Sequence, residues 1–326
     1  MVMLPQFLWI SRYRMMYRNK QKLILALALL SVFTVMNFTF YYHYGNHGMA
    51  ADQFEGFDHI NGSLAAIVPN TVHYILFGTD SLNFISFLSM TSVLKIQNPD
   101  SILIHTDRDR LQGYYWDLVQ NLAKLKKTQI QLALIERPTH VFGQPLSSVY
   151  HMTDVARILV LMNFGGIYLD TDTIVLRSLN PLLKYEMVVG WPQKENIGTQ
   201  ILIAHKDARF LKQWLNGYRR YQPRNWYYNA GQFPAEVLSK KPELAHREDT
   251  LLGVQNLIEK LYVADEWSSW KNFYSLHLLS RHHPDPDKLD ETSVTLYKHP
   301  FGEIASWLLY TVEPPLIIDG FKRWKF

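Results

Sequence analysis

With 326 residues, of which 48% are hydrophobic and 14% aromatic, the chain can bury a substantial core in one large α/β domain or two average domains. The net charge of +4 is mild and concentrated at the N-terminus, so nucleic-acid binding is not expected. The absence of cysteine excludes disulfides and thiolate metal sites.

The N-terminal segment predicts a membrane anchor. Arginine and lysine residues are frequent in residues 1–22, and the run Leu23–Tyr42 then contains no charge. At about 1.5 Å of rise per residue, a helix over this run just crosses a bilayer core of about 30 Å. Because residues 43–51 carry no Lys or Arg, the positive-inside rule keeps the N-terminus in the cytosol and sends the rest into the lumen. A cleaved signal peptide ending near Met49–Ala51 is the alternative.

The expected organisation has four parts. A cytosolic tail over residues 1–22 precedes the anchor over 23–42, a lumenal stem over 43–68 and one catalytic domain over 69–326. The stem is polar and shows no sustained hydrophobic period. Asn61 begins an Asn-Gly-Ser triplet within the stem and is a candidate N-glycosylation site.

Beyond the stem, apolar runs alternate with helical patterns. Val72–Gly78, Ser101–Asp107 and Gln129–Ile135 are short apolar runs bounded by polar or glycine residues, as buried strands are. Helical spacing separates them over Asn83–Lys95 and Leu111–Lys124. The alternation predicts an α/β domain with a mainly parallel sheet and helices on both faces.

The stretch Ser147–Leu176 contains the candidate site. A helical pattern with Asp154 and Arg157 on its polar face ends at Gly165-Gly166. A short apolar strand follows, and Asp170-Thr171-Asp172 then places two carboxylates one residue apart. Because ligands of open α/β sheets bind beyond the carboxyl ends of the strands, this pair predicts a Mg²⁺ or Mn²⁺ site for a phosphorylated ligand. A surface turn whose acids bond to the backbone is the alternative.

These motifs resemble the sugar-binding region of a glycosyltransferase family. The similarity lies in Thr153-Asp154-Val155-Ala156-Arg157, the apolar helix after it, and Gly165-Gly166-Ile167-Tyr168-Leu169-Asp170-Thr171-Asp172. Val72–Gly78 also resembles the family's opening strand, with Leu76 at a Trp position. The family, glycosyltransferase family 32-like, includes Golgi α1,4-galactosyltransferases, α1,4-N-acetylglucosaminyltransferases and yeast initiating α-mannosyltransferases. Glucosylating bacterial toxins are more distant relatives.

The resemblance implies a Rossmann-like GT-A fold and a metal-dependent retaining hexosyltransferase in the Golgi membrane, with single-pass type II topology. The donor is expected to be a nucleotide-sugar, UDP-linked, and the acceptor a glycan or glycolipid. The catalytic residues it implies are Asp154, Arg157 and Asp172. The residues it implies for donor binding are Asp154, Arg157, Tyr168, Asp170 and Tyr74.

The same resemblance implies a histidine in the metal site. Mn²⁺ or Mg²⁺ is expected to bind Asp170, Asp172 and His277, since Tyr274-Ser275-Leu276-His277-Leu278 resembles a family segment. His299, upstream of Ser306-Trp307, is the competing histidine. A second acidic pair, Asp285-Pro286-Asp287, follows no strand pattern and is not assigned a role.

The acceptor side departs from the family. Tyr227–Gly231 stands where many members have Thr-Gly-Pro, so the acceptor and the linkage are not transferred from relatives. Two other functions stay open. One is a haloacid-dehalogenase-like phosphatase, although Ile174 stands where that signature has Thr or Val. The other is a catalytically inactive, membrane-anchored sugar-binding protein. The oligomeric state is also open.

Overall fold

The computed structural model describes residues 53–316. The chain divides into the units Met1–Glu55 and Gly56–Phe326, and the fold below is that of the second unit. Within the described residues, no helix combines the length and the apolar composition needed to cross a bilayer. The predicted anchor, Leu23–Tyr42, lies outside the described residues.

The strands are short and most of them are apolar. In chain order they are β1 (Thr71–Leu76), β2 (Ser101–Thr106), β3 (Gln129–Leu134), β4 (His140–Val141), β5 (Gln144–Pro145), β6 (Gly166–Leu169), β7 (Thr173–Val175), β8 (Met187–Gly190), β9 (Gly198–Ala204), β10 (His246–Glu248) and β11 (Ser275–His277). Seven of them form one sheet in the order β10-β8-β9-β6-β1-β2-β3. Only β9 runs antiparallel to its neighbours in this sheet, so the prediction of a mainly parallel sheet is confirmed.

The helices cover both faces of the sheet. The α-helices are α1 (Phe84–Ser92), α2 (Tyr114–Lys126), α3 (Val149–Phe164), α4 (Arg209–Gly217), α5 (Phe233–Lys240), α6 (Ile258–Tyr262) and α7 (Pro300–Ser306). Segments of π-helix are Val93–Gln97, Tyr228–Gln232 and Trp307–Thr311. Segments of 3₁₀-helix are Asn180–Leu182, Tyr218–Arg220, Pro242–Leu244, Ser268–Asn272, Ser280–His282, Pro286–Lys288 and Ser293–Leu296.

Successive residues of the central strands face two separate cores. Val72 and Tyr74 of β1 pack on the face covered by α1, α2 and α7. Ile75, between Tyr74 and Leu76, faces the other core, which is covered by α3 and α4. Tyr168 of β6 also belongs to this second core. The period of two along each strand therefore places Tyr74 and Tyr168 on opposite faces of the sheet.

The predicted strands Val72–Gly78, Ser101–Asp107 and Gln129–Ile135 are confirmed to within two residues at each end. Strands β8 and β10, which extend the sheet beyond β9, were not predicted from the sequence. Part of the predicted stem also contacts the sheet region. The buried carboxylate of Glu186, just before β8, accepts a hydrogen bond from His59 Nε2 at 3.0 Å.

Two buried histidines support the turn from α3 into β6. Gly165 and Gly166 form this turn with φ values of 65° and 102°. A Cβ atom on Gly166 would lie 2.5 Å from the Thr71 carbonyl oxygen, so only glycine fits. His73 Nε2 donates to the Gly165 carbonyl at 2.8 Å, and His73 Nδ1 then accepts from His105 Nε2 at 3.0 Å. The hydrogen bonds of the two histidines therefore fix the turn that leads to the two carboxylates.

We expect the free energy of unfolding to fall when the pH is lowered from 7 to 5. Burial lowers the pKa of His73 to about 3 and that of His105 to about 4. Both rings stay neutral in the folded chain, whereas the unfolded chain takes up protons below about pH 6.5, so stability is lost as the pH falls. Each histidine contributes about 2 kcal/mol to this loss.

Urea unfolding of the chain at the two pH values measures this change. The variant His105→Gln should show a smaller pH dependence, because only His73 of the pair can then titrate. An equal pH dependence in the variant and the wild-type protein would contradict the prediction.

Candidate functional site

The candidate site lies at the carboxyl end of β6, on the edge of the sheet where ligands of open α/β folds bind. Asp170 follows β6 directly, and its amide donates to the Gln200 carbonyl of β9 at 2.8 Å. Asp172 precedes β7, which pairs with β11 rather than with the main sheet. This antiparallel pairing sets His277 opposite Thr173. A short ladder therefore brings a histidine from the C-terminal third of the chain beside the second carboxylate.

Asp170, Asp172 and His277 form a compact group. One oxygen of each carboxylate and one imidazole nitrogen all lie within 4.8 Å of one another. His277 Nε2 lies 3.3 Å from Asp172 Oδ1. The other oxygen of Asp172 accepts hydrogen bonds from the amide and the hydroxyl of Ser280, at 3.2 and 3.0 Å. His299 contacts a different region, since its Nδ1 donates to the Ala264 carbonyl at 3.0 Å.

The pair of Asp172 and His277 is strongly polarised. Burial raises the pKa of Asp172, but the charge of His277 and the hydrogen bonds from His277 and Ser280 outweigh it and bring this pKa to about 2. Burial lowers the pKa of His277, but the adjacent Asp172 raises it above its ordinary value. His277 Nδ1 is buried and finds no hydrogen-bond partner among the described residues. Nε2 is thus the ring nitrogen of His277 that faces the Asp172 carboxylate.

A buried arginine connects the helix before the turn to the strand after it. Arg157 Nη2 lies 3.1 Å from Asp154 Oδ1 and 3.4 Å from Asp170 Oδ1. Arg157 Nη1 donates to the Thr199 carbonyl of β9 at 2.7 Å. The guanidinium carbon lies 4.8 Å from the centre of the Tyr168 ring. Because the Arg157 side chain is only 6% exposed, its donors are directed at protein groups.

The charges of this network compensate one another. Burial alone would lower the pKa of Arg157, but Asp170, Tyr168 and Asp154 raise it, so the guanidinium stays charged. Burial raises the pKa of Asp154, and Arg157 opposes this effect. The Tyr168 hydroxyl donates to Asp170 Oδ1 at 2.6 Å, on the same oxygen that faces Arg157. The orientation of the Asp170 carboxylate is therefore fixed by two donors.

Tyr74 lies away from this network, so the structure does not bring it together with the other residues predicted to bind the donor. Its ring is fully buried on the opposite face of the sheet, and its hydroxyl is 3.0 Å from Ser89 Oγ. The Ser89 hydroxyl donates in turn to the Thr173 carbonyl. Tyr74 thus supports β7 from inside the core and offers no surface to a nucleotide.

Two groups of the site were not predicted. Ser280 reaches Asp172 because β11 returns the chain to β7, and it follows His277 by three residues. The family-like segment ends at Leu278, two residues before Ser280, and no pattern in the sequence connects Ser280 to Asp172. Thr199 contributes its backbone carbonyl, for which no side-chain pattern exists in the sequence.

Part of the chain that contains the two carboxylates also matches a known protein family. The family described as glycosyltransferase sugar-binding region containing DXD motif matches residues 86–189, which include Arg157, Asp170 and Asp172. This region belongs to the DXD-motif glycosyltransferases. The recognition made from the sequence is therefore confirmed. The matched region ends before His277, so the ladder of β7 and β11 adds a residue from outside it.

Individual relatives of this DXD region are distant. Glucan organizing enzyme 1 of Cryptococcus neoformans var. grubii is 27% identical over 195 residues, which cover 54% of this chain and 51% of that protein. Lactosylceramide 4-alpha-galactosyltransferase of Mus musculus is 28% identical over 126 residues, which cover 38% of this chain and 34% of that enzyme. The matches thus span about half and about a third of these relatives. A solved structure of the galactosyltransferase LgtC with donor and acceptor sugar analogues covers 77% of this chain and 98% of its own, with 14% identity and a TM-score of 0.44.

We expect Arg157→Met to lower the free energy of unfolding by about 3 kcal/mol, because it leaves two partly buried carboxylates without their guanidinium. Urea unfolding measures the change. The double variant Arg157→Met/Asp154→Asn serves as the control, since it also removes the more buried of the two negative charges. It should be more stable than Arg157→Met alone. Additive destabilisation by the two substitutions would contradict the proposed charge compensation.

Proposed function

We propose that the chain is a metal-dependent retaining glycosyltransferase of GT-A type. It moves a hexose or N-acetylhexosamine from a nucleotide-sugar, UDP-linked, to a glycan or glycolipid. One observation carries this proposal: the two DXD carboxylates, a buried arginine and a histidine converge at the carboxyl end of a parallel strand, within 4.8 Å for the three candidate ligands. The family match of the same region supports the reaction class.

The donor set of Asp170, Asp172 and His277 fits a divalent cation. Carboxylate oxygens suit Mg²⁺ and Mn²⁺, and the imidazole nitrogen favours Mn²⁺ over Mg²⁺. When bound, such an ion neutralises the negative charge that develops on the leaving diphosphate. His277 Nε2 lies 3.3 Å from Asp172 Oδ1, and this nitrogen must be unprotonated to act as a ligand.

The carboxylates of the network are more accessible than the arginine. The side chains of Asp154 and Asp170 are 13% and 26% exposed, against 6% for Arg157. We therefore propose that Asp154 accepts hydrogen bonds from hydroxyl groups of the donor sugar. Arg157 holds Asp154 and Asp170 in place and adds positive charge close to the donor phosphates.

The phosphatase alternative receives no support from Asp170. A haloacid-dehalogenase-like enzyme needs its first aspartate as a nucleophile facing the substrate. Here the Asp170 oxygen Oδ1 accepts a hydrogen bond from Tyr168 and faces Arg157. The inactive sugar-binding alternative predicts binding of sugar without catalytic turnover, so a measurement of turnover distinguishes it from an enzyme.

The proposed location is the Golgi membrane, with a single N-terminal anchor and a lumenal catalytic domain. It is supported by the apolar run Leu23–Tyr42 and the basic residues before it. Asn61 is exposed, and its side chain donates to Asp58 Oδ2 at 2.8 Å. Its amide nitrogen therefore lies at the surface, as a glycosylation acceptor must.

We expect the full chain to hydrolyse at least one of UDP-Gal, UDP-GlcNAc, UDP-Glc and GDP-Man in the presence of Mn²⁺, and EDTA to abolish the reaction. Asp172→Asn should fold and lose about a hundredfold of this rate, because a charged group of the site is removed. The matched control is Asp285→Asn, in the second Asp-x-Asp pair, which should keep the rate. Sugar-nucleotide binding without metal-dependent turnover would favour the inactive alternative, and hydrolysis of a phosphomonoester would favour the phosphatase.

The histidine ligand can be tested separately by Mn²⁺ binding in the presence of UDP, followed by the electron paramagnetic resonance signal of free Mn²⁺. His277→Ala should weaken Mn²⁺ binding about tenfold or more. His299→Ala is the control and should leave it unchanged, because His299 bonds to Ala264 instead. The opposite result for the two variants would assign the ligand to His299.

A further inference from the structure

An exposed cluster of two aromatic rings and an arginine borders the site. This aromatic cluster consists of Tyr150, Trp226 and Arg281, which come from three separate parts of the chain. The centres of the Tyr150 and Trp226 rings are 5.4 Å apart, with the planes at 67°. The guanidinium carbon of Arg281 lies 4.2 Å from the centre of the Tyr150 ring and 5.4 Å from that of Trp226. The two aromatic residues are 47% and 46% exposed, although both are large.

The aromatic cluster rests on a buried support. His151 Nε2 donates to the Trp226 carbonyl at 3.0 Å, and the centre of its ring lies 4.7 Å from that of Trp226. His151 is itself buried, and its Nδ1 contacts the Tyr221 hydroxyl. The backbone of Trp226 is therefore fixed while its ring stays exposed. Such prior positioning lowers the entropy lost when a ligand binds.

The aromatic cluster is continuous with the carboxylate site. Tyr150 and Asp154 are four residues apart in α3 and so lie on one face of this helix. Arg281 directly follows Ser280, whose hydroxyl donates to Asp172 at 3.0 Å. The aromatic cluster thus lies on the side of the site where Asp154 stands. On the other side, the ends of β1 and β2 are joined by a hydrogen bond of 2.9 Å from the Gly78 amide to Asp107.

We propose that the aromatic cluster is the acceptor subsite, where a sugar ring of a neutral glycan stacks on Trp226 or Tyr150. This inference rests on the proposed function. The apolar C–H face of a pyranose packs well on an aromatic ring, and exposed aromatic surface of this kind marks binding sites. Arg281, whose guanidinium lies close to both rings, can donate to sugar hydroxyls. A glycan seated there approaches the donor sugar beside Asp154 without crossing the ends of β1 and β2.

The test compares Tyr150→Ala, Trp226→Ala and Trp226→Phe in the full chain. Two rates are measured with the same nucleotide-sugar: donor hydrolysis, and transfer to lactose, N-acetyllactosamine, cellobiose and α1,2-mannobiose. For the disaccharide that the wild-type chain uses best, each Ala variant should raise KM about tenfold, which corresponds to about 1.4 kcal/mol of lost stacking. The donor KM in hydrolysis should rise much less, and Trp226→Phe should retain most of the acceptor affinity.

Phe142→Ala is the matched control. Phe142 is 43% exposed and also carries an arginine on its ring, with the Arg219 guanidinium carbon 4.2 Å from the ring centre. It lies outside the aromatic cluster, so its acceptor KM should equal that of the wild-type chain. This control separates loss of the acceptor subsite from general loss of an exposed aromatic ring.

Three results overturn the inference. The first is an unchanged acceptor KM in both Ala variants, and the second is an equal rise in the donor KM, which would assign the aromatic cluster to donor binding. The third is donor hydrolysis by the wild-type chain without transfer to any of the four disaccharides, since stacking tolerates gluco, galacto and manno configurations. Absence of donor hydrolysis in the wild-type chain would instead overturn the proposed function, and this inference with it.

Discussion

The buried guanidinium of Arg157 is the interaction on which the geometry of the site depends. It joins helix α3 through Asp154, the end of β6 through Asp170, and β9 through the carbonyl of Thr199. A charge taken out of water is costly unless several partners compensate it, so these elements stabilise one another only in this arrangement. The network also leaves two acidic groups at the accessible edge of the sheet. It therefore links the stability of the fold to the negative charge at this edge of the sheet.

A second constraint acts on the turn before β6. Gly166 is packed against the carbonyl of Thr71, and His73 bonds to the carbonyl of Gly165 from below. The first carboxylate after β6 can move little relative to β1, because both its backbone and its side chain are held. Asp172, by contrast, is held mainly by His277 and Ser280 from another part of the chain. The position of Asp170 is thus fixed by the main sheet, whereas the position of Asp172 depends on the pairing of β7 with β11.

The sequence was sufficient for the centre of the fold and for the carboxylate pair, because buried strands and the Asp-x-Asp motif leave strong local patterns. Tyr74 shows what the local pattern leaves undetermined. Both faces of β1 are buried, so the sequence does not reveal which core receives a given ring. The strand β10, His246–Glu248, has no apolar alternation at all and exists through its pairing with β8. Ser280 could not be inferred from spacing along the chain, because its contact with Asp172 spans 108 residues.

That long separation also affects how the protein matures. The Arg157 network uses only residues up to Thr199, so a growing chain can assemble it well before β11 has been made. His277 reaches the two carboxylates only when the C-terminal third folds back and β11 pairs with β7, and such distant contacts form late because the chain loses much entropy in closing them. A partly synthesised or truncated chain could fold its central strands and still lack the imidazole. The three side chains therefore come together only after β11 has paired with β7.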